Sequence, residues 1–178
     1  MRQASSPRSQ DVAAKRSRPF WRQLAQRCEK SFLQIVTFWK SSWPSAERKP
    51  RVSRSVLDSS VLLAILKNEQ FDDKLLDVIE GAAMSAVNFT EVWSKIYDLG
   101  LMEAPRTKIV FGLLSSIEPF TESQARLAAD LRTVTRRAGL SLGDRACLAL
   151  ALTIRGEVYT ADRQWQNVNV GCDIHLIR

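Results

Sequence analysis

Four carboxylates, Asp58, Glu91, Asp144 and Asp162, stand where the chain pattern turns from one element to the next. Asp58 and Asp162 end short stretches that read as strands. Glu91 lies just past a third strand, in the helix that follows, and Asp144 opens a helix with no strand immediately before it. In an open parallel sheet, strand C-termini and the following helix N-termini share one edge, and ligands bind there. Four acids meeting at that edge repel one another, and their pKa values rise unless a cation sits among them. Helix N-termini relieve only part of this, about 0.3–1 kcal/mol each. A hard divalent ion, Mg2+ or Mn2+, suits the place because it takes oxygen ligands and keeps waters. Such an ion polarises a phosphoryl oxygen and lowers the pKa of an attacking water. The plainer alternative is four separate helix caps with no mutual contact, and spacing alone does not choose between the two. Asp72, Asp73, Asp77, Glu122 and Asp130 fall on predicted solvent faces.

The elements that must position these acids are organised around Leu140-Ser141-Leu142-Gly143-Asp144-Arg145-Ala146-Cys147-Leu148-Ala149-Leu150-Ala151-Leu152. Ser141 and Asp144 have capping-box spacing, and Gly143 is expected where a side chain would crowd the turn. Ala146 to Leu152 carries no polar residue, which predicts a helix wrapped by protein on nearly all sides. Upstream, Val52 to Asp58 reads as a strand, Ser59 to Leu66 as a helix, and Phe71 to Glu80 as an amphipathic helix ended by Gly81. Ala82 to Val87 reads as a strand of small residues. Asn88-Phe89-Thr90-Glu91 has capping-box spacing at the start of a helix that stops at Gly100. Pro105 opens a helix that packs Ile109, Val110, Leu113 and Leu114 inward, and Ser116 to Phe120 is a brief strand or loop. Thr121 caps a helix with Ala125, Leu127, Ala128, Leu131 and Val134 toward the core. Arg132, Arg136 and Arg137 crowd its far end, where the helix dipole is negative. Gly156 to Asp162 and Asp173 to Ile177 are strands flanking a helical turn at Trp165. Short strands alternating with helices predict a three-layer α/β/α sandwich around a short-stranded parallel sheet.

At 178 residues the chain holds one domain and an appendage, with ordinary apolar (45%) and charged (25%) fractions for a globular protein. The net charge of +7 is unevenly spread. Residues 1–50 hold eleven Lys/Arg against three Asp/Glu, whereas residues 51–178 hold fifteen against sixteen. The basic excess therefore belongs to the first fifty residues, and nucleic-acid binding by the domain does not follow from overall charge. Residues 1–50 also hold Trp21, Trp39 and Trp43. Phe20, Trp21, Leu24, Cys28, Phe32, Ile35, Val36 and Trp39 recur there at helical spacing. Three readings fit this extension: disorder, an amphipathic helix meeting a membrane surface or nucleic acid, or sequence ahead of the true start, with Val52 opening the domain at residue 51 or 52. Its most apolar part, Ser31 to Trp39, falls short of the ~18 residues a transmembrane helix requires, and no secretory signal is evident. Cys28, Cys147 and Cys172 form no paired pattern, so a reducing compartment, the cytoplasm, is expected. His175 is the sole histidine, which makes a His-rich zinc site implausible.

Val56-Leu57-Asp58-Ser59-Ser60, Ser85-Ala86-Val87-Asn88 with Glu91, Leu140-Ser141-Leu142-Gly143-Asp144-Arg145, and Tyr159-Thr160-Ala161-Asp162-Arg163 occur in this order. Together they resemble the PIN-domain proteins of the VapC type, toxin halves of bacterial toxin–antitoxin pairs, over roughly residues 52–178 and none of the first fifty. The resemblance implies that Asp58, Glu91, Asp144 and Asp162 form a catalytic, metal-binding acidic set, with Ser60 and Thr160 as supporting hydroxyls. Asp162 is often the least indispensable of the four in that family. Arg145 and Arg163 match recurring positions and are candidate RNA contacts; surface salt bridges are the alternative for both. The implied activity is Mg2+- or Mn2+-dependent endoribonuclease cleavage by a homodimer that a cognate antitoxin silences. Two other functions compete. A phosphoacceptor receiver domain would want adjacent acids after the first strand and a lysine after the last, and this chain has a single Asp58 and no lysine beyond Lys108. A catalytically silent PIN-fold module binding RNA or a partner would keep the fold without the chemistry.

Overall fold

The computed structural model describes residues 55–70, 75–102 and 104–178. The readings of residues 1–50, of Val52 to Arg54 and of Phe71 to Lys74 lie outside the described residues.

Among the described residues, five short strands form one parallel sheet: β1 (Ser55–Leu57), β2 (Ala83–Ser85), β3 (Ser116–Glu118), β4 (Glu157–Thr160) and β5 (Ile174–Leu176). Their order is β3-β2-β1-β4-β5. In register, Val56 lies opposite Ala83 on one side and Val158 on the other. The chain leaves β1 toward β2 and β3 and returns on the other side of β1 with β4. The strand order thus reverses between β1 and β4, and in such sheets a crevice opens at that point beyond the strand C-termini.

Among the described residues, seven α-helices connect and cover the strands: α1 (Ser59–Leu66), α2 (Leu75–Ile79), α3 (Ala86–Asp98), α4 (Pro105–Gly112), α5 (Glu122–Asp130), α6 (Arg132–Thr135) and α7 (Leu142–Ile154). A 3-10 turn, Arg163–Asn167, joins β4 to β5. Successive side chains of a strand point to opposite faces, so β1 serves two cores. Leu57 joins a cluster with Val61, Leu62 and Ile65 of α1, Met84 of β2, Val92 and Ile96 of α3, and Val110 of α4. Val56 joins a second cluster with Cys147, Leu148 and Leu150 of α7, Ala128 of α5, Val158 and Trp165. The predicted three-layer α/β/α sandwich is therefore the observed one. Cys147 is wholly buried, as its apolar surroundings require. Among the described residues no helix is long and apolar enough to cross a membrane.

Helix α7 is buried continuously from Ala146 to Ala151. It packs against α3, α5, β1, β2 and β4. Two details depart from the expectation. The helix begun by Thr121 divides at Leu131 into α5 and α6. Its inward positions are Gln124, Ala128, Leu131 and Thr135, so two polar residues take the core face and Ala125 and Val134 are exposed where the core was expected. The helix after β2 starts at Ala86, capped by the Ser85 hydroxyl, and not at Asn88.

Leu148 has no solvent exposure, so Leu148→Ala should cost about 2–5 kcal/mol. Urea unfolding should show this as a lowered midpoint with an unchanged slope.

Candidate active site

Each of the predicted acids except Glu91 does cap a helical element. Asp58 caps α1, accepting from Ser60 N at 3.2 Å. Asp144 forms a full capping box on α7: its N–H donates to Ser141 Oγ at 3.1 Å and its carboxylate accepts from Ser141 N at 2.6 Å. Asp162 caps the 3-10 turn through Gln164 N at 2.9 Å. Capping does not keep the first two from meeting Glu91, and the meeting place is the crevice between β1 and β4.

Asp58 lies at the end of β1, where it meets β4, and is 2% exposed. Its Oδ2 accepts from the Ser60 hydroxyl, from Ser60 N and from Thr160 Oγ1 at 3.1 Å. Its Oδ1 accepts from Asn88 Nδ2 at 3.2 Å and more weakly from Ser59 Oγ at 3.4 Å. Ser60 Oγ also accepts from Ala161 N at 2.8 Å, Thr160 Oγ1 accepts from Asp162 N at 3.1 Å, and the two hydroxyls lie 3.2 Å apart, with the Asp58 carboxylate the stronger acceptor for both. Each hydroxyl has one proton to give, and both give it to Asp58. Ser60 and Thr160 thus tie the end of β1 to the end of β4.

Asn88, in the first turn of α3, is wholly buried and brings in the other acids. Its Nδ2 lies 3.2 Å from Asp58 Oδ1, 3.2 Å from the Gly143 carbonyl and 3.5 Å from Glu91 Oε2. Gly143 sits in the first turn of α7 beside Asp144. A Cβ there would fall 2.0 Å from Glu91 Oε1. The glycine is thus needed for side-chain room: what crowds it is the Glu91 carboxylate, not the turn of its own backbone. Asp58, Glu91 and Asp144 are close enough to act on each other's charge.

Electrostatics follow from this packing. Burial pushes the Asp58 carboxyl above the usual range; the Ser60 hydroxyl pulls it down and the charge of Asp144 pushes it up again. Glu91 is raised first by burial, lowered by the Ser59 hydroxyl, and raised by Asp58 and Asp144. The Cys147 thiol beneath them is pushed well up, by burial and then by Asp58 and Asp144. Asp162 reaches the cluster through its backbone N–H on Thr160, with its carboxylate on the 3-10 turn. Arg145 is drawn inward, donating to the carbonyls of Ala128 at 2.9 Å and Leu140 at 3.0 Å, so it clamps the start of α7 to α5. Arg163 is exposed next to Asp162.

Among the described residues, no three His, Cys, Asp or Glu side chains are set, as placed, to hold a metal ion. Asp144 is turned onto its own cap, as mutual repulsion favours. The donors present are oxygens alone, two of them on carboxyls raised by burial. That set fits a hard divalent cation and not a soft one.

A doubly wound parallel sheet with carboxylates gathered at its reversal point defines a class of three-layer α/β/α domains. The chain matches the PIN domain family over residues 55–171 and belongs to it. No curated protein matches its sequence. Among solved structures it is similar to a toxin–antitoxin complex from Klebsiella pneumoniae, with 17% identity over 70% of this chain and 98% of that one and a TM-score of 0.56. It is also similar to VapBC2 from Rickettsia felis bound to a promoter DNA fragment, with 14% identity over 70% and 98% of the two chains and a TM-score of 0.52.

A raised carboxyl pKa means that the folded chain binds the proton more tightly than the unfolded one. Stability then falls as pH rises from the ordinary carboxylate range through the raised value. Glu91→Gln should therefore melt a few degrees above the parent at pH 8 in chelator, with the gap closing near pH 4 when Glu91 is protonated; thermal melts across pH check this. Gly143→Ala should leave the melting temperature unchanged or slightly raised, since alanine is the better helix residue by about 0.5–1 kcal/mol. A crystal structure of that variant should show Glu91 turned away from Asn88.

Proposed function

We propose that the chain is a VapC-type toxin, an endoribonuclease that hydrolyses RNA phosphodiesters with Mg2+ or Mn2+. The observation that carries this is the gathering of Asp58, Glu91 and the Gly143–Asp144 turn around one buried amide at the sheet's reversal point. Asp58, Glu91 and Asp144 would hold the ion, and Asp162 would lie at the edge of the site. When bound, the ion lowers the pKa of an attacking water and steadies charge on the phosphate.

The chain's own residues prepare that chemistry. Ser60 and Thr160 fix Asp58 by two donated protons, so it cannot rotate away when charged. The hydroxyl of Ser59 supports the Glu91 charge against burial. Gly143 keeps the space in which the Glu91 carboxylate rests. Arg163, exposed beside the crevice, would meet the RNA backbone, whereas Arg145 would act by holding α7 in place. Residues 51–178 would be the nuclease domain and residues 1–50 an extension outside it. Likeness to toxin–antitoxin complexes supports a cognate antitoxin as partner. A homodimer in the cytoplasm completes the reading.

A second reading, a catalytically silent PIN-fold module that binds RNA or a partner, is favoured by one observation: the Asp144 carboxylate is committed to its capping box. Cleavage separates the two. The purified chain should cut structured RNA with Mn2+ and stop with EDTA. Asp58→Asn and Asp144→Asn should each lower the rate at least a hundredfold without unfolding the domain. An Asp144→Asn variant as fast as the parent would leave the binding-module reading standing.

A further inference from the structure

We infer that Asn88 is the positioning residue of the acidic site, setting where Glu91 stands relative to Asp58 and the start of α7. The inference rests on the nuclease reading for its purpose, and on geometry alone for its substance. One amide nitrogen faces three oxygens from three elements: Asp58 Oδ1 at the end of β1, Glu91 Oε2 one turn along α3, and the Gly143 carbonyl in the first turn of α7. An amide has two protons: the Asp58 carboxylate and the Gly143 carbonyl, both at 3.2 Å, are the better placed, and Glu91 Oε2 at 3.5 Å shares one of them, so the nitrogen is saturated and its orientation is fixed. Turning the amide over would put an oxygen against three oxygens, two of them on carboxylates.

The other end of the same side chain is spent to achieve this. Asn88 Oδ1 is buried with no hydrogen-bond partner. A residue chosen only for packing would not leave a buried acceptor unmet. A residue needed for helix capping would not sit here either, because the Ser85 hydroxyl already caps α3 through Val87 N at 3.3 Å. What Asn88 supplies is a neutral donor between two carboxylates that otherwise push each other apart. Asp58 has four other donors in its shell, from Ser59, Ser60 and Thr160. It stays in place without Asn88. Glu91 is half-buried on a longer side chain, and its listing toward solvent is opposed by Asn88, by the Ser59 hydroxyl and by the room at Gly143. Glu91 is therefore the acid whose position depends on Asn88.

The test uses the full chain with Asn88→Ala, alone and in a Glu91→Ala background, and reads Mn2+ affinity by titration together with metal-free crystal structures and thermal melts. Asn88→Ala should weaken Mn2+ binding about tenfold or more, the range in which groups orienting metal ligands act. In the Glu91→Ala background the same substitution should cost less than threefold, because the residue it positions is gone. The metal-free variant should fold and show Glu91 displaced with Asp58 unmoved. Equal losses in both backgrounds, or an affinity within threefold of the parent, overturn the inference. If the parent itself binds no Mn2+, the metal reading fails separately. The crystal structure then decides alone: an undisplaced Glu91 overturns the positioning role, and a displaced one upholds it.

Discussion

The structure turns on one costly act, the burial of the Asp58 carboxylate at the junction of β1 and β4. An ionised group at 2% exposure is tolerated only where donors replace water. Here the chain supplies them from α1, from α3 and from the end of β4. These donors do not fully offset burial, since the carboxyl remains raised. The fold therefore carries an electrostatic cost at its centre, which a nearby cation would relieve. Sites that bind or react are where such costs are kept.

Capping and site-building are not alternatives in this molecule. A cap residue sits at a helix N-terminus by definition, and in a parallel sheet those N-termini gather at the strand C-terminal edge. Asp58 and Asp144 can therefore satisfy backbone N–H groups with one side of a carboxylate and face the crevice with the rest. The same geometry explains why Asp162 stands apart. It caps the turn after β4, and only its backbone N–H touches the Thr160 hydroxyl that reaches Asp58.

Much of this was legible in the sequence because acids placed at the ends of apolar strands are unusual, and because Ser141-x-x-Asp144 names its own cap. The α/β layering followed from strand and helix lengths. What stayed hidden has specific causes. Asn88 and Glu91 have capping-box spacing, which disguises the fact that Ser85 caps the helix three residues earlier; in a strand of small residues nothing marks where the strand stops. With Ser85 as cap, Asn88 faces inward, and its role becomes visible. Gly143 was singled out correctly, but its neighbour Glu91 lies 52 positions away, beyond any local pattern. Ala125 and Val134 are misplaced because the true inward positions beside them, Gln124 and Thr135, are polar and carry no apolar mark of burial. Arg145 reads from sequence as a candidate RNA contact or a surface salt bridge, and only the folded chain shows the carbonyls that hold it.

The two hydroxyl latches on Asp58 come from opposite ends of the domain: Ser60 is two residues away and Thr160 is 102. During synthesis, β1 and α1 emerge long before β4. Until Thr160 has left the ribosome and β4 has docked beside β1, Asp58 lacks one of its proton donors and the crevice lacks a wall. Such long-range pairings form late and slowly. The acidic cleft is in this sense a property of the finished polypeptide, and a nascent or prematurely terminated chain cannot possess it.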